Sequence, residues 1–234
     1  MKVVIAIQAR LNSTRLPKKA LLDLCGRPMI AQQMRRMRSI QEADRVVVAC
    51  PEADRKEFFW ATGVDPVTGP EEDVLTRMLN VATETGADKI VKVGADCPLV
   101  PPDGIAYGIS LCKGEKLVQN WRPRLHPDGF DFDIWDVQYL QHLGTRLQGA
   151  DREWFSSWAA EHDGPGKFIG SDVNLSKVRL TVDEQVDLDL VRMIYKDMAG
   201  EIWGARDIMN WVRNHPVEMK MNAHLVKDFG ARPK

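Results

Sequence analysis

The sequence predicts an α/β fold with three layers, in which helices cover both faces of a mainly parallel, mixed sheet. Short runs of β-branched residues alternate with segments of helical periodicity along the 234-residue chain. Hydrophobic residues make up 44% and charged residues 28% of the chain, an ordinary balance for a packed globular protein. No linker rich in Gly, Pro or Ser interrupts the alternation, so we expect one domain over residues 1–234.

The strands are predicted from short apolar runs that are rich in valine and isoleucine. Buried parallel strands read as such near-continuous runs rather than as alternating ones. A further stretch, Phe130–Trp135, looks extended but lies among loops, and we expect it to form a small β excursion. The remaining predicted strands are Lys2–Gln8, Arg45–Cys50, Lys89–Val93, Lys116–Gln119 and Val178–Val182.

The helices are predicted from apolar residues spaced three and four apart. Ile30, Met34 and Met37 form such a stripe, and Pro28 suits the first turn of their helix. Acids crowd the start of the segment from residue 71, where the helix dipole favours negative charge. The predicted helices are Pro28–Ile40, Glu71–Thr85, Val186–Met198 and Asp207–Val212.

The totals exclude several classes of function. A net charge of −1 is unlike that of an electrostatic nucleic-acid binder. Apolar runs of about five residues are far shorter than a membrane-spanning helix needs. The four cysteines show no CxxC spacing, which indicates reduced thiols in a cytoplasmic protein. The motifs of zinc proteases, serine hydrolases, P-loop ATPases and simple dinucleotide-binding proteins are also missing from the sequence.

A cationic loop directly follows the first predicted strand. Arg10, Arg15, Lys18 and Lys19 lie within ten residues, together with the Ser13 hydroxyl. A turn from strand to helix supplies backbone N–H groups, and Arg and Lys add charge that suits phosphate oxygens. The loop therefore predicts an anion site, and the alternative is a solvated basic turn.

Two acids also follow predicted strands, Asp96 in GADCPL and Asp183 in LTVDEQ. Ligands of open α/β sheets bind beyond the carboxyl ends of the strands, so both acids can meet the cationic loop there. Such a pair suits a Mg²⁺ ion that bridges phosphate oxygens, and the cluster favours phosphoryl or nucleotidyl transfer. The alternative for Asp183 is a helix N-cap without any other function.

The segment HPDGFDFD begins with a turn signal and continues with alternating acids and aromatics. Alternation places Asp131 and Asp133 on one face of an extended segment. These acids can contact polar groups of a second substrate, and the alternative is a solvated strand face.

The stretch QARLNSTRLPKKALLDLCGRPMI contains the pattern R-x-x-S-x-R-L-P-x-K. It resembles the opening signature of bacterial cytidylyltransferases that make CMP-activated sugar acids, of the Kdo and sialic acid type. It is more similar still to the spore-coat polysaccharide biosynthesis protein F family. The similarity continues in order through GPEEDVLTRMLNVA, KVGADCPLV, HPDGFDFDIWD, ADREWFSSW, VRLTVDEQVDLDLVRMIY and NHPVEMKMNA.

The resemblance implies a nucleotide-diphospho-sugar-transferase-like fold and transfer of CMP from CTP to an acceptor, with release of pyrophosphate. It also implies a homodimer, a Mg²⁺ cofactor held by Asp96 and Asp183, and a place in glycan or surface-polysaccharide biosynthesis. The catalytic positions that match are Arg15, Lys19 and Asp96. The matching nucleotide-binding positions are Ala9, Arg10, Ser13, Arg15, Lys19, Glu72, Asp73 and Arg77. The positions expected near the acceptor are Asn120, Asp128, Gly129 and Asp131.

The chain departs from the family pattern at a few places. Ala95 stands where a Gly is usual, and Lys18 replaces a common Gly before the matching lysine. Glu184-Gln185 replaces a Thr-Pro after Asp183, and Trp154 replaces a His in the D-R-E-H segment. Because the phosphate-binding positions and both metal acids are retained, we expect an active enzyme. The alternatives are a nucleotidyltransferase that uses another nucleotide, such as GTP, and a nucleotide-binding relative without turnover.

Overall fold

The computed structural model describes residues 1–198 and 202–226. The described residues form seven strands in one sheet, with the order β3-β2-β1-β4-β6-β5-β7. The strands are β1 (Val3–Gln8), β2 (Arg45–Pro51), β3 (Val67–Gly69), β4 (Lys89–Gly94), β5 (Leu117–Gln119), β6 (Phe132–Asp136) and β7 (Lys167–Phe168). The first four run parallel, while β6 is antiparallel to both of its neighbours, so the sheet is mixed as predicted.

Helices cover both faces of this sheet. They are α1 (Met29–Met37), α2 (Arg55–Thr62), α3 (Val74–Thr85), α4 (Pro102–Leu111), α5 (Val137–Arg146), α6 (Phe155–His162), α7 (Gln185–Asp197) and α8 (Ala205–Asn214). Alternate residues of β1 point to opposite faces, so Ile5 packs with α1 and α4 while Ala6 packs with α3 and α5. The three-layer α/β/α prediction is confirmed.

A third apolar cluster lies beside the sheet and holds the C-terminal helices in place. Leu180 and Val182 pack there with Leu188 and Ile194 of α7 and with Trp211 of α8. This cluster positions the segment before α7, which carries one of the two predicted metal acids. No helix within residues 1–198 and 202–226 has the length and apolar character needed to cross a membrane.

Two strand predictions need correction. The stretch Phe130–Trp135 is extended, but its strand β6 lies inside the main sheet between β4 and β5 rather than in a small excursion. Val178–Val182 is extended and buried but is not a strand, since a single bridge joins Arg179 to Asp128. The pairing does not extend beyond this bridge because Asp128 lies in a turn that closes at Gly129. Apolar composition alone therefore predicted a strand that does not form.

Candidate active site

The cationic loop, Asp96 and Asp183 meet beyond the carboxyl ends of β1 and β4. The β1 residue Gln8 is paired with Gly94 of β4, so the chain leaves both strands at the same edge. The segment before α7 joins them because the Val182 N–H donates to the Asp96 carbonyl at 2.8 Å. The predicted convergence of three distant parts of the chain is therefore present.

Lys19 is the centre of this meeting point. Its ammonium donates to Asp183 Oδ1 at 2.8 Å, to the Val182 carbonyl at 2.8 Å and to Asp96 Oδ2 at 3.3 Å. Burial by itself would lower the pKa of Lys19, but the two carboxylates outweigh burial and raise the pKa above its usual value. Lys19 therefore stays a cation at neutral pH.

Arg15 adds a second cation on the solvent side of Asp183. Its Nη2 lies 2.9 Å from Asp183 Oδ2, and the arginine side chain is 47% exposed. An exposed guanidinium can turn from the carboxylate to an incoming phosphate at little cost, because exposed ion pairs are weak. Asp183 is thus an ion-pairing group and not a plain N-cap, since Glu184 caps α7.

The rest of the loop is held in shape by backbone contacts. Asp54 accepts from the Leu11 N–H at 2.9 Å, and the Leu11 carbonyl accepts from the N–H groups of Ser13 and Lys18 at 2.9 and 3.2 Å. Ser13 is half-buried, so its hydroxyl is at the loop surface. These contacts give the loop a defined conformation that a freely solvated turn would lack.

Two contacts join the loop to other motif segments of the chain. Arg10 Nη1 lies 3.3 Å from Glu153 Oε1, and the Asn12 amide donates to Glu71 Oε1 at 3.2 Å. Ala9 is buried, with its N–H bound to the Ala49 carbonyl at 3.1 Å. Arg10 is therefore placed at the loop mouth with an exposed side chain, whereas Ala9 offers a ligand neither its side-chain surface nor its N–H.

The structure changes the expected roles of the segment from residue 72 to residue 77. Glu72 is exposed, but Arg77 is fully buried and donates to the Pro70 and Glu71 carbonyls at 2.5 and 2.6 Å. Asp73 caps α3 by accepting from the Thr76 N–H at 2.7 Å. Arg77 therefore supports the turn that carries Glu71 and Glu72, and its direct contact with a nucleotide stays a prediction.

Asp73 also binds outside its own helix. Arg152 Nε donates to Asp73 Oδ2 at 2.7 Å, and the Arg152 Nη1 donates to the Gly144 and Leu147 carbonyls. The ADREW segment is thereby fixed against the start of α3. The Asp73 carboxylate thus binds Thr76 and Arg152 within the protein, and its contact with a nucleotide stays a prediction.

On the acceptor side, Asn120 and Gly129 shape the backbone. The Asn120 side chain is buried, donates to the Phe130 carbonyl at 2.9 Å and accepts from the Phe132 N–H at 3.0 Å. Gly129 has a φ of +105°, and a Cβ there would lie 2.5 Å from the Thr181 nitrogen. Both residues therefore shape the turn, and their acceptor contacts stay a prediction.

Asp128 and Asp131 lie close together and share Arg124. Arg124 forms a fork with Asp131 at 2.9 and 2.8 Å, and its Nη1 lies 3.9 Å from Asp128 Oδ1. Burial, followed by repulsion from Asp131, raises the pKa of Asp128 to about 6, although Arg124 and Arg179 oppose this. Arg124 and Arg179 thus offset the negative charge of the acceptor-side acids only in part, since Arg179 also binds Asp183 and Asp187.

The alternative of a solvated strand face is wrong for Asp133. Its carboxylate is buried, lies 3.1 Å from Lys92 Nζ on the paired strand and accepts from Ser156 at 2.5 Å. The Trp135 indole N–H also donates to it at 3.2 Å. Asp133 therefore joins β6 to β4 and α6.

The residues present fit a magnesium ion. Asp96 Oδ2 and Asp183 Oδ1 already hold one cation between them, the Lys19 ammonium, and the Asp96 side chain is 38% exposed. In the part of the chain that the structure describes, no three His, Cys, Asp or Glu side chains are grouped to hold a metal. Two carboxylates with room for phosphate and water oxygens are the donor set that suits Mg²⁺ bound together with a nucleotide.

The departures from the family pattern are accommodated locally. Lys18 adopts the left-handed conformation with a φ of +52°, which explains why Gly is common there. Ala95 is buried, and its N–H binds the Gln8 carbonyl at 2.9 Å. Trp154 is 60% exposed, next to Glu153 at the loop mouth.

Sequence reasoning missed a buried group behind the site. Arg179 lies between Asp183, Asp128 and a third acid, Asp187, with Asn222 on the far side. Arg179 and Asp187 fall in the VRLTVDEQVDLDL motif, and Asn222 falls in the NHPVEMKMNA motif. All three residues therefore belong to stretches that the sequence analysis singled out. Their spacing gave no sign of contact because 43 residues separate Arg179 from Asn222.

A sequence model of a known protein family matches just under half of the chain. The model of the family described as cytidylyltransferase matches residues 4–116. The matched part contains the cationic loop, the Glu71–Arg77 segment and Asp96, while Asp183 lies beyond it.

Curated relatives align with about half of the chain. A 3-deoxy-manno-octulosonate cytidylyltransferase from Chloroherpeton thalassium is 35% identical over 111 residues, which is 47% of this chain and 45% of the relative. The enzyme of the same name from Chlorobium phaeobacteroides is 39% identical over 107 residues, or 45% and 43% of the two chains. This chain therefore matches less than half the length of these cytidylyltransferases.

Solved structures resemble the whole fold. A cytidylyltransferase from Leptospira borgpetersenii superposes with a TM-score of 0.86 at 25% identity, covering 94% of this chain and 97% of the other. A CMP:2-keto-3-deoxy-manno-octonic acid synthetase solved with CTP superposes with a TM-score of 0.67 at 17% identity, covering 85% and 100%. The nucleotidyltransferase-like α/β fold predicted from sequence is confirmed.

Proposed function

We propose that this protein is a Mg²⁺-dependent cytidylyltransferase that moves CMP from CTP to a sugar acid or a phosphorylated small molecule and releases pyrophosphate. One observation carries the proposal. The Lys19 ammonium, from the loop after β1, lies within 3.3 Å of two carboxylates. These belong to Asp96 at the end of β4 and to Asp183 in the segment before α7. A cationic phosphate loop beside two metal-binding carboxylates is the arrangement that nucleotidyl transfer needs, because such catalysis depends on positioning and charge neutralisation.

In this reaction an acceptor oxygen forms a bond with the α-phosphorus of CTP in line with the bond that breaks. The electron pair of the broken bond leaves with pyrophosphate. Arg10, Arg15 and Lys19 bind the triphosphate and neutralise the charge that spreads toward the leaving group, and Ser13 can donate its hydroxyl to a phosphate oxygen. Asp96 and Asp183 would hold Mg²⁺, which supplies further charge neutralisation on the phosphate oxygens.

The acceptor belongs on the side of Asp128 and Asp131. Both acids follow residue 116, the last residue that the cytidylyltransferase family model matches. The nearer relation to the spore-coat polysaccharide biosynthesis protein F group stays a proposal, supported by the resemblance of the HPDGFDFDIWD and ADREWFSSW motifs.

The assay is pyrophosphate release with CTP, Mg²⁺ and a panel of sugar acids and phosphorylated alcohols, each repeated with ATP, GTP and UTP. We expect release with CTP and at least one acceptor class. Stabilisation of the protein by CTP without release from any acceptor would favour a nucleotide-binding relative without turnover. Release with GTP alone would overturn the choice of CTP. Sedimentation analysis of the same preparation tests the expected homodimer.

A further inference from the structure

A buried polar cluster lies behind the candidate site and touches both of its halves. Arg179 and Asn222 are each 1% exposed, and Asp187 is fully buried. Arg179 Nε and Nη2 donate to the two Asp187 oxygens at 3.0 and 2.8 Å. The Asn222 amide donates to Asp187 Oδ1 at 2.9 Å and to the Arg179 carbonyl at 3.2 Å.

The outer edge of the same guanidinium reaches the two site acids. Its Nη1 donates to Asp128 Oδ2 at 3.0 Å, and its Nη2 donates to Asp183 Oδ2 at 3.3 Å. One planar group therefore contacts the expected metal acid on the nucleotide side and an acid on the acceptor side. Only an arginine offers enough donors in a fixed fork to bind three carboxylates in this way.

Asp187 fixes Asp183 through the backbone as well. Its Oδ2 accepts from the N–H groups of Asp183 and Glu184, both at 3.0 Å. The main chain and the carboxylate of Asp183 are thus held by the same buried unit, Arg179–Asp187–Asn222. With Oδ2 turned to Arg179 and Arg15, the Asp183 Oδ1 atom faces Lys19, whose ammonium also binds Asp96 Oδ2.

We propose that Arg179, held by Asp187 and Asn222, is a positioning residue that orients Asp183 Oδ1 toward the metal and ties this orientation to Asp128 on the acceptor side. The inference rests on the proposed function, since it assumes that Asp183 binds Mg²⁺. It assigns a role to the closing NHPVEMKMNA motif, whose Asn222 completes the buried unit from the end of the described chain. Groups behind metal ligands commonly set ligand orientation and affinity.

A purely structural role would need only the Arg179–Asp187 pair, which already neutralises both charges. The further bonds to Asp128 and Asp183 connect two segments that are 55 residues apart in sequence and belong to opposite sides of the site. The test must therefore separate metal positioning from general stability.

The experiment compares Arg179→Lys with Arg36→Lys in the full chain. A lysine at position 179 keeps the positive charge but lacks the planar set of N–H donors with which the guanidinium binds three carboxylates. Arg36 is an equally buried control, 2% exposed, whose Nη2 donates to the Val100 and Trp203 carbonyls at 3.3 and 3.1 Å and not to the site acids. Mn²⁺ serves as the probe. Its dissociation constant in the presence of CTP is measured by electron paramagnetic resonance, and CTP binding without metal and the melting temperature are measured alongside.

We expect Arg179→Lys to weaken Mn²⁺ binding by about tenfold or more, with CTP binding in the absence of metal changed much less. Arg36→Lys should lower the melting temperature but leave Mn²⁺ affinity as in the wild type. Asn222→Ala, a milder change to the same unit, should weaken Mn²⁺ binding in the same direction, which keeps the test valid if Arg179→Lys does not fold. Wild-type Mn²⁺ affinity in folded Arg179→Lys, or an equal loss in Arg36→Lys, overturns the inference alone. A wild-type protein that binds no Mn²⁺ with CTP contradicts the proposed function and the inference together.

Discussion

Replacement of Lys19 by methionine removes the charge at the centre of the candidate site while keeping most of the side-chain volume. The two acids that Lys19 joins contact its nitrogen at 2.8 and 3.3 Å, and the lysine side chain is only 14% exposed. Two carboxylates no more than about 6 Å apart repel by roughly 3 kcal/mol at an effective dielectric constant of about 20. An ammonium that faces a phosphate oxygen across a similar distance contributes attraction on the same scale.

A loss of about 3 kcal/mol in the transition state corresponds to a rate lower by roughly a hundredfold. We therefore expect kcat/KM for pyrophosphate release to fall at least that far in Lys19→Met. The matched control is Lys18→Met, because Lys18 is the adjacent, exposed lysine and has no ion pair within the described residues. The control should keep kcat/KM within a few-fold of the wild type.

A second readout separates charge loss from unfolding. Without the Lys19 ammonium, Asp96 and Asp183 face each other without their shared partner, so Mn²⁺ should bind Lys19→Met more tightly than wild type when no nucleotide is present. Turnover in Lys19→Met equal to that of Lys18→Met, in a folded protein, would refute the role of Lys19.

Further substitutions test other parts of the structure. Asp96→Asn should reduce turnover by orders of magnitude without changing the circular dichroism spectrum, and wild-type turnover would refute its metal role. Burial would by itself raise the pKa of Asp187, but hydrogen bonds, foremost from Arg179, hold that pKa below its usual value. The resulting stability is present above a pH of about 4 and is lost as the pH falls through the lower folded-state pKa, so urea titrations of Asp187→Asn should show a flatter acid-side slope. Gly129→Ala should destabilise the protein by about 3 kcal/mol in urea denaturation, because its Cβ would lie 2.5 Å from the Thr181 nitrogen at a positive φ; an unchanged midpoint would show that this turn can relax.

The parallel part of the sheet could be predicted from the sequence because its strands are buried on both faces. The valine-rich Arg45–Cys50 and Lys89–Val93 runs have few other stable environments, and both form strands at those positions. Helix α2 was missed because Phe59 and Trp60 are exposed, so its apolar residues show no single stripe. The apolar residues Leu180 and Val182 led to the prediction of a strand at Val178–Val182, although backbone pairing there is limited to one bridge.

The candidate site was predictable where chain topology alone brings residues together. Loops at the carboxyl ends of the parallel strands β1 and β4 must be neighbours, which explains why Lys19 and Asp96 lie together. Asp183 joins them through the backbone bond between Val182 and Asp96, although Val178–Val182 is not a strand. The roles of Arg77 and Asn120 could not be predicted, because a polar residue that binds backbone carbonyls in the interior has the same sequence appearance as one that faces a ligand. Only the packed structure distinguishes them.

The most direct test of the central claim follows the α-phosphorus of CTP. Wild-type protein is incubated with Mg²⁺, CTP labelled at the α-phosphorus and the acceptor panel, and the products are separated. We expect the label to move to an acceptor as CMP while unlabelled pyrophosphate is released in equal amount, and Asp96→Asn to abolish both. Label that stays in CTP with every acceptor, or transfer that proceeds equally well in Asp96→Asn, would contradict the central claim.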